Sequence, residues 1–414
     1  MTDPQFSKNQ GKTFAKIRVL DNPTQEYEWG SKTEIQNLLG LSKTSNKPIA
    51  ELWMGAHPKD PSKVMVEGEW ESLKEVIEKD PESILGKEIA QRFFNRLPFL
   101  FKVLAADQPL SVQVHPNLNQ AREGFTRENR LGISLEAPER NYKDENHKPE
   151  IICALTHFHI LKGFRQVEEI LKLMEKTCPV TLSKELSSFK TKPDFHGLRH
   201  FIETLMTMKR ERQRRVVEEA IDRAERHTSK DITSHCMIEI NYFYPGDIGV
   251  LSPLYLHPVR LNPGEAVYVS AGELHVYLGG LGIELMANSD NVLRGGLTSK
   301  HIDINELLNV VNFRVESAKK IQSIRKGICE EVYPTPAEEF LLSVVSVHQG
   351  ESFISSTNRS VEILLCIEGT AHVRDLETGE VLPLSKGISI LVPAGVTQYG
   401  ITGEAVLYKA SVPL

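Results

Sequence analysis

"LNPGEAVYVSAGELHVYL" runs from Leu261 to Leu278, and "LSKGISILVPAGVTQYGI" runs from Leu384 to Ile401. The two align without gaps: Gly264 falls on Gly387, Val269 on Val392, Ala271 on Ala394 and Gly272 on Gly395. Each reads as a Gly turn, a strand, an Ala-Gly turn and another strand. A unit of short strands punctuated by Gly turns, present twice, predicts two jelly-roll barrels. One position breaks the match, because His275 of the first copy meets Gln398 of the second. The same mould thus carries a candidate metal ligand once and lacks it once, which predicts one active barrel and one structural barrel.

Outward from this repeat, three kinds of segment appear. From about Ala15 to Lys162, short β-like runs alternate with loops: "KIRVL" (Lys16 to Leu20), "LPFLFKVL" (Leu97 to Leu104) and "EIICAL" (Glu150 to Leu155). "SLKEVIEKDPESIL" (Ser72 to Leu85) reads as a helix interrupted at Pro81. From Gln166 to about Arg226, Gly and Pro become rare. Val167, Ile170, Leu171 and Met174 fall on one helical face, as do Leu198, Ile202, Leu205 and Met206. "MKRERQRRVVEEAIDRAERH" (Met208 to His227) interleaves acids with bases, which favours a solvated outer helix over a basic binding helix. "CMIEINYFY" (Cys236 to Tyr244) alternates and reads as the return of β structure. "HIDINELLNVVNF" (His301 to Phe313) reads as a short helix. A last β-rich block runs from about Thr335 to Leu414. The expected division is a discontinuous β unit at 1–164 and 236–330, a helical unit at 165–235 and a second β unit at 331–414. The fold class is mainly β with an inserted α-helical domain.

The chain has 414 residues, enough for two or three domains. A formal net charge of −6 argues against nucleic acid or an anionic membrane as the main partner. No apolar run approaches the length of a membrane span. The opening "MTDPQFSKNQGKTF" is polar and reads as carrying no signal peptide. The five cysteines are isolated, with no CxxC spacing, which predicts reduced thiols in a cytoplasmic protein. A monomer is the default expectation.

"SVQVHPN" (Ser111 to Asn117) directs attention to an interior site. Its alternation puts Ser111, Gln113 and His115 on one face and Val112 and Val114 on the other. Glu150 stands where the polar "YKDENHKPE" runs into an apolar strand, and His275 follows the Ala-Gly turn. Two imidazoles, a carboxylate and an amide form an N/O set suited to Zn²⁺, and also to Fe²⁺ or Mn²⁺. Each residue alone has a plainer account: a strand histidine is often a satisfied core group, and a glutamate at a strand start is often a cap or ion-pair partner.

"QVHPN", "NHKPE" and "AGELHVYLGG", in that order, resemble signature segments of the type I zinc-dependent phosphomannose isomerases. "ELWMGAHP" (Glu51 to Pro58), "LPFLFKVL" and "NSDNVLRGGLTSK" (Asn288 to Lys300) resemble them too. The departure visible in "GAHPKDPS" (Gly55 to Ser62) lies beside a motif rather than in it. The resemblance implies a catalytic cupin-like domain, a helical domain and a second cupin-like domain without metal. It implies one Zn²⁺ per chain held by Gln113, His115, Glu150 and His275. It also implies interconversion of mannose 6-phosphate and fructose 6-phosphate, linking glycolysis to mannose and GDP-mannose metabolism.

Such a reaction moves a proton between C1 and C2, and a metal can stabilise the enediolate. Four protein ligands exceed the three common in catalytic zinc sites, so the neutral amide Gln113 is expected to bind least tightly. Glu284 is the leading candidate base; the plainer account pairs it with Arg294 or a lysine. Lys148 is placed to stabilise developing charge. Asp290 and His57 are candidates for proton shuttling or ring opening, and His57 and His147 equally for hydrogen bonds to the metal ligands. For the phosphate, Arg294 offers a planar fork, Ser111 a hydroxyl and Lys300 a further cation. Lys102 sits inside an apolar strand, where either a bound phosphate or a neighbouring acid would meet the cost of its charge. Two other functions compete: an Fe²⁺ oxygenase using His115, Glu150 and His275, and a non-catalytic sugar-phosphate-binding protein.

Overall fold

The computed structural model describes residues 14–41, 47–178, 180–226, 231–315 and 318–414. Nearly all of the polar opening stretch lies outside the described residues. The β structure forms two antiparallel sheets. In the first, the neighbours run Leu256–Leu261, Phe158–Phe164, His275–Ala287, Phe99–Ala106, Glu51–Gly55 and Thr24–Gln25. Glu150–Ala154 pairs with both Ala266–Val269 and His275–Ala287, and Val112–Val114 pairs with both His275–Ala287 and Leu293–Gly296.

The 13-residue strand His275–Ala287 organises this sheet because it changes partners midway. Its first half pairs with Phe158–Phe164 and Val112–Val114, and its second half with Phe99–Ala106 and Glu150–Ala154. The change falls at Gly280, whose φ is +127° and whose missing Cβ would lie 2.6 Å from the His157 carbonyl oxygen. Only glycine accommodates both demands. The bend sets His275 against Gln113 at one end and Glu284 against Lys102 at the other.

The second sheet runs Ile324–Lys326, Glu330–Tyr333, Leu341–Val347, Tyr399–Ser411, Glu362–Asp375, Ser389–Val392, Arg18–Asp21, Lys63–Val66 and Glu69–Ser72. The repeat is visible in both sheets. Gly264 and Gly387 turn at φ +83° and +87°, and each copy ends in a 13-residue strand. The sequence reading puts Arg18–Asp21 and Lys63–Ser72 in the first β unit. They instead extend the C-terminal sheet, with Arg18 opposite Leu391 and Leu20 opposite Val64. Local alternation reports strand character but not which sheet edge receives the strand.

The helical block contains Val167–Thr177, Ser183–Thr191, Phe195–Thr207, Arg210–Glu225 and Ile232–Phe243. The periodic residues Val167, Ile170 and Met174, and Leu198, Ile202, Leu205 and Met206, are buried. Arg210–Glu225 buries only Val216, Val217, Ala220 and Ala224, leaving a charged outer face as expected. Cys236–Tyr244 is corrected from strand to helix: Asp231 caps it by accepting from the Thr233 N–H, and Cys236, Met237 and Ile240 face inward. Apolar residues at these positions fit a helical face as well as an alternating strand, and the cap with its neighbouring helices decides. Helical structure therefore continues past residue 235, and strands resume at Leu256. The break at Pro81 is present, separating Leu73–Lys79 from Pro81–Leu85, and Ile304–Val310 forms the short helix expected within His301 to Phe313. No helix among the described residues is long and apolar enough to cross a membrane.

Candidate metal centre

His115, Glu150 and His275 are all buried, and their ligand atoms lie within 4.8 Å of one another. Strand order brings them together. His275 opens the bent strand opposite Gln113, His115 follows Val112–Val114, and Glu150 opens Glu150–Ala154. Val112 and Val114 pack against the core shared with the helices, as their alternation predicts. Gln113 is half-buried and lies between His275 and Arg294 in the ladder.

The hydrogen bonds assign the protons. His115 Nδ1 donates to the Asn291 carbonyl at 2.8 Å, and His275 Nδ1 to the Glu273 carbonyl at 3.1 Å. A carbonyl can only accept, so each Nδ1 carries a proton, and the neutral ring in each case presents its lone pair at Nε2. Burial, with Lys148 nearby, pushes the His115 imidazolium down to about 4, so the ring is neutral near pH 7. His115 Nε2 faces Glu150 Oε2 at 3.4 Å, and His275 Nε2 faces Glu150 Oε1 at 3.1 Å. Neither His115 Nε2 nor Glu150 Oε2 has a hydrogen-bond partner. Buried lone pairs that converge are costly, and a divalent cation removes that cost. The residues fit a zinc ion.

Around this set lie charged groups of two kinds. Lys148 Nζ is 3.4 Å from Glu150 Oε2. Burial alone would raise the Glu150 carboxyl, but Lys148 and His115 outweigh it and hold it well below its ordinary value. Glu284 meets Lys102 at 3.0 Å, and Glu51 meets the same lysine at 3.6 Å. The Lys102 ammonium also lies over the Trp53 ring, whose Nε1 donates to Glu51. The buried charge of Lys102 is thus met by two acids, and burial no longer argues for a phosphate there. The plainer account of Glu284 also holds, with Lys102 as its lysine. Burial raises the Glu284 carboxyl, with Lys102 opposing.

His57 Nε2 and Lys59 Nζ approach Asp290 at 3.6 and 3.0 Å. Burial pushes His57 down to about 4. These residues wall a cavity of about 510 Å³. His147 pairs with Glu339 at 2.6 Å, reaching toward the C-terminal block rather than the triad. Arg294 is half-buried and makes no ion pair or hydrogen bond among the described residues; burial alone lowers it. Lys300 is exposed, and partial burial first, then the charge of Arg294, lower it. Ser111 is half-buried.

Sequence reasoning missed Tyr277, Asn291 and Glu51. Tyr277 donates to Glu150 Oε1 at 2.8 Å, and its position two residues after His275 on one strand was a usable signal. Asn291 is fully buried and also binds the backbone of Lys143, Asp144 and Asn146. That role depends on loop packing and left no local pattern.

The chain matches two family models: phosphomannose isomerase type I, catalytic domain, over residues 17–167, and mannose-6-phosphate isomerase, cupin domain, over 330–411. Mannose-6-phosphate isomerase of Escherichia coli (strain K12) is 41% identical over 399 residues, covering 95% of this chain and 99% of that protein. The Homo sapiens enzyme is 31% identical, covering 92% and 94%. A crystal structure of the Salmonella typhimurium mannose 6-phosphate isomerase with fructose 6-phosphate and zinc has a TM-score of 0.88 and 38% identity, covering 97% of this chain and 100% of that one. A zinc-bound mannose 6-phosphate isomerase has a TM-score of 0.89 over the same shares. With a site of two histidines and a carboxylate and relatives matched over nearly their whole length, the chain belongs to the type I phosphomannose isomerase family.

Proposed function

We propose that this protein is a zinc-dependent aldose–ketose isomerase that interconverts mannose 6-phosphate and fructose 6-phosphate by proton transfer between C1 and C2. The observation that carries this reading is the convergence of buried lone pairs at His115 and Glu150, on strands next to Arg294, which stands opposite Gln113 in the ladder and has no partner among the described residues. His115, Glu150 and His275 hold one zinc ion, with Gln113 as the fourth ligand. Bound zinc supplies Lewis-acid polarisation of the sugar's carbonyl and hydroxyl oxygens.

The protein's own groups do the rest. Arg294 and Lys300 bind the phosphate through charge-assisted hydrogen bonds, with Ser111 as a neutral donor. Lys148 stabilises negative charge developing on the sugar oxygens. Glu284, made more basic by burial, takes the proton from carbon, while Lys102 and Glu51 keep it in place. Lys102 is thereby reassigned from phosphate binding to orienting the base. The Asp290–His57 pair moves the proton at the ring oxygen when the sugar opens. Each sheet with its repeat forms a cupin-like jelly roll, the helical block is an insertion, and the C-terminal unit carries no metal. A monomer is the assembly state that goes with this reading. Five free, buried cysteines support a reducing cytoplasmic setting.

The test is turnover of mannose 6-phosphate by purified protein before chelation, after it, and after Zn²⁺ is returned. Activity lost and then restored is expected. A folded, metallated protein without turnover would overturn the reading, and oxygen uptake would point to an oxygenase on the same triad.

A further inference from the structure

The two oxygens of Glu150 have different surroundings. Oε1 accepts from the Tyr277 hydroxyl at 2.8 Å and lies 3.1 Å from His275 Nε2. Oε2 has no hydrogen-bond partner and faces His115 Nε2 and the Lys148 ammonium, each at 3.4 Å. Tyr277 has little freedom to release its bond. It is buried, its ring is held edge-on by Phe158 with centroids 5.6 Å apart, and its backbone sits in ladder register opposite Ile160. The Tyr277 hydroxyl also lies within reach of Glu284, so the phenol stands between the ligand carboxylate and the Glu284–Lys102–Glu51 network, with its donated bond directed to Glu150.

We infer that Tyr277 is a positioning residue that selects Oε2 of Glu150 as the oxygen offered to the metal. This deepens the zinc-isomerase reading and rests on it. A carboxylate with both oxygens free can swing or bind through both, and the second mode takes up coordination space that the sugar oxygens need. Committing Oε1 to the phenol holds Glu150 to one oxygen and one orientation. Hydrogen bonds of this kind around metal ligands are worth about 10–100-fold in metal affinity or activity.

The test is Tyr277→Phe, which removes one oxygen and retains the ring packed on Phe158. Zn²⁺ and Co²⁺ affinity is measured by chelator competition, the visible spectrum is recorded for the Co²⁺ form, and folding is checked by thermal unfolding of the metal-free protein. The expected result is about 10–100-fold weaker metal binding with a changed Co²⁺ spectrum, in a protein that unfolds within a few degrees of wild type. The same substitution in a Glu150→Ala background should change metal affinity by less than about twofold, because the effect acts through the carboxylate. This cycle also covers poor folding of the single variant, since a packing defect would persist without Glu150. Unchanged affinity and spectrum in Tyr277→Phe, or an equal loss in the Glu150→Ala background, would overturn the inference. A wild type that binds no metal and turns over no sugar phosphate would instead overturn the function on which it rests.

Discussion

The two copies of the repeat meet the same physical problem in opposite ways. In the C-terminal sheet, buried Glu362 faces Lys409 at 3.4 Å and Arg359 at 3.6 Å, and Lys409 also holds Glu330 at 2.7 Å. Two acids are answered by two permanent cations. In the first sheet, Glu150, Glu284 and Glu51 are answered by Lys148 and Lys102 alone. The remaining neighbours of Glu150 are the Tyr277 hydroxyl and the imidazoles of His115 and His275, whose Nε2 atoms face the carboxylate. At the position of His275, the other copy has Gln398, whose Nε2 donates to the Ser355 carbonyl at 2.8 Å and is satisfied. Buried carboxylates need cations: side chains supply as many as there are acids in one sheet, while the other has two lysines for three acids and adds converging imidazoles suited to a metal ion.

This contrast breaks most directly at the aligned pair. His275→Ala is expected to empty the site and lower turnover by more than about a hundredfold, because even loss of a group supporting a ligand costs 10–100-fold. Gln398→Ala should leave metal content and turnover within about twofold. Metal analysis of both purified variants checks this, and metal lost from Gln398→Ala would place the centre in the wrong sheet.

Lys409→Met sharpens the other side. It strands Glu330 and Glu362 without their shared ammonium and should cost about 3–5 kcal/mol in denaturant unfolding. Metal content should not change. A stable Lys409→Met protein would show that Lys409 is not the cation that balances these acids.

The smallest effect concerns His57. Its ordinary value of 6.5 falls to about 4 in the native state, mainly through burial. The folded protein therefore keeps the ring neutral while the unfolded chain protonates it. Stability from this group is full above about pH 6.5 and is lost as pH falls toward about 4. Thermal unfolding of wild type against His57→Gln should show the gap between them narrowing over that range. A pH-independent gap would mean that the native ring is not held neutral.

Much of the site was legible because alternation and order along the chain carry it. Gln113 and His115 lie two apart, Glu150 starts a strand, and His275 follows a turn whose copy lacks it. Arg294 was legible as a planar cation in "NSDNVLRGGLTSK", and it makes no ion pair or hydrogen bond among the described residues. Lys102 was ambiguous for a physical reason: a buried lysine announces that an anion is near but not whether the anion is a ligand or a side chain. The cross-strand register with Glu284 answered that. Cys236–Tyr244 was misread because its apolar spacing satisfies two periods at once.

By itself, the sequence determined the mainly β class, the repeat, the helical insertion and the identity of the groups that converge. These depend on local period, turn chemistry and residue type, all of which act over a few residues. Only the tertiary structure decided that Arg18–Asp21 and Lys63–Ser72 complete the C-terminal sheet, that Lys102 serves Glu284, and that Tyr277 claims one oxygen of Glu150. Those outcomes depend on strand register and on the bend at Gly280. Backbone pairing brings together groups far apart in the chain, and their contacts depend on that pairing rather than on local sequence.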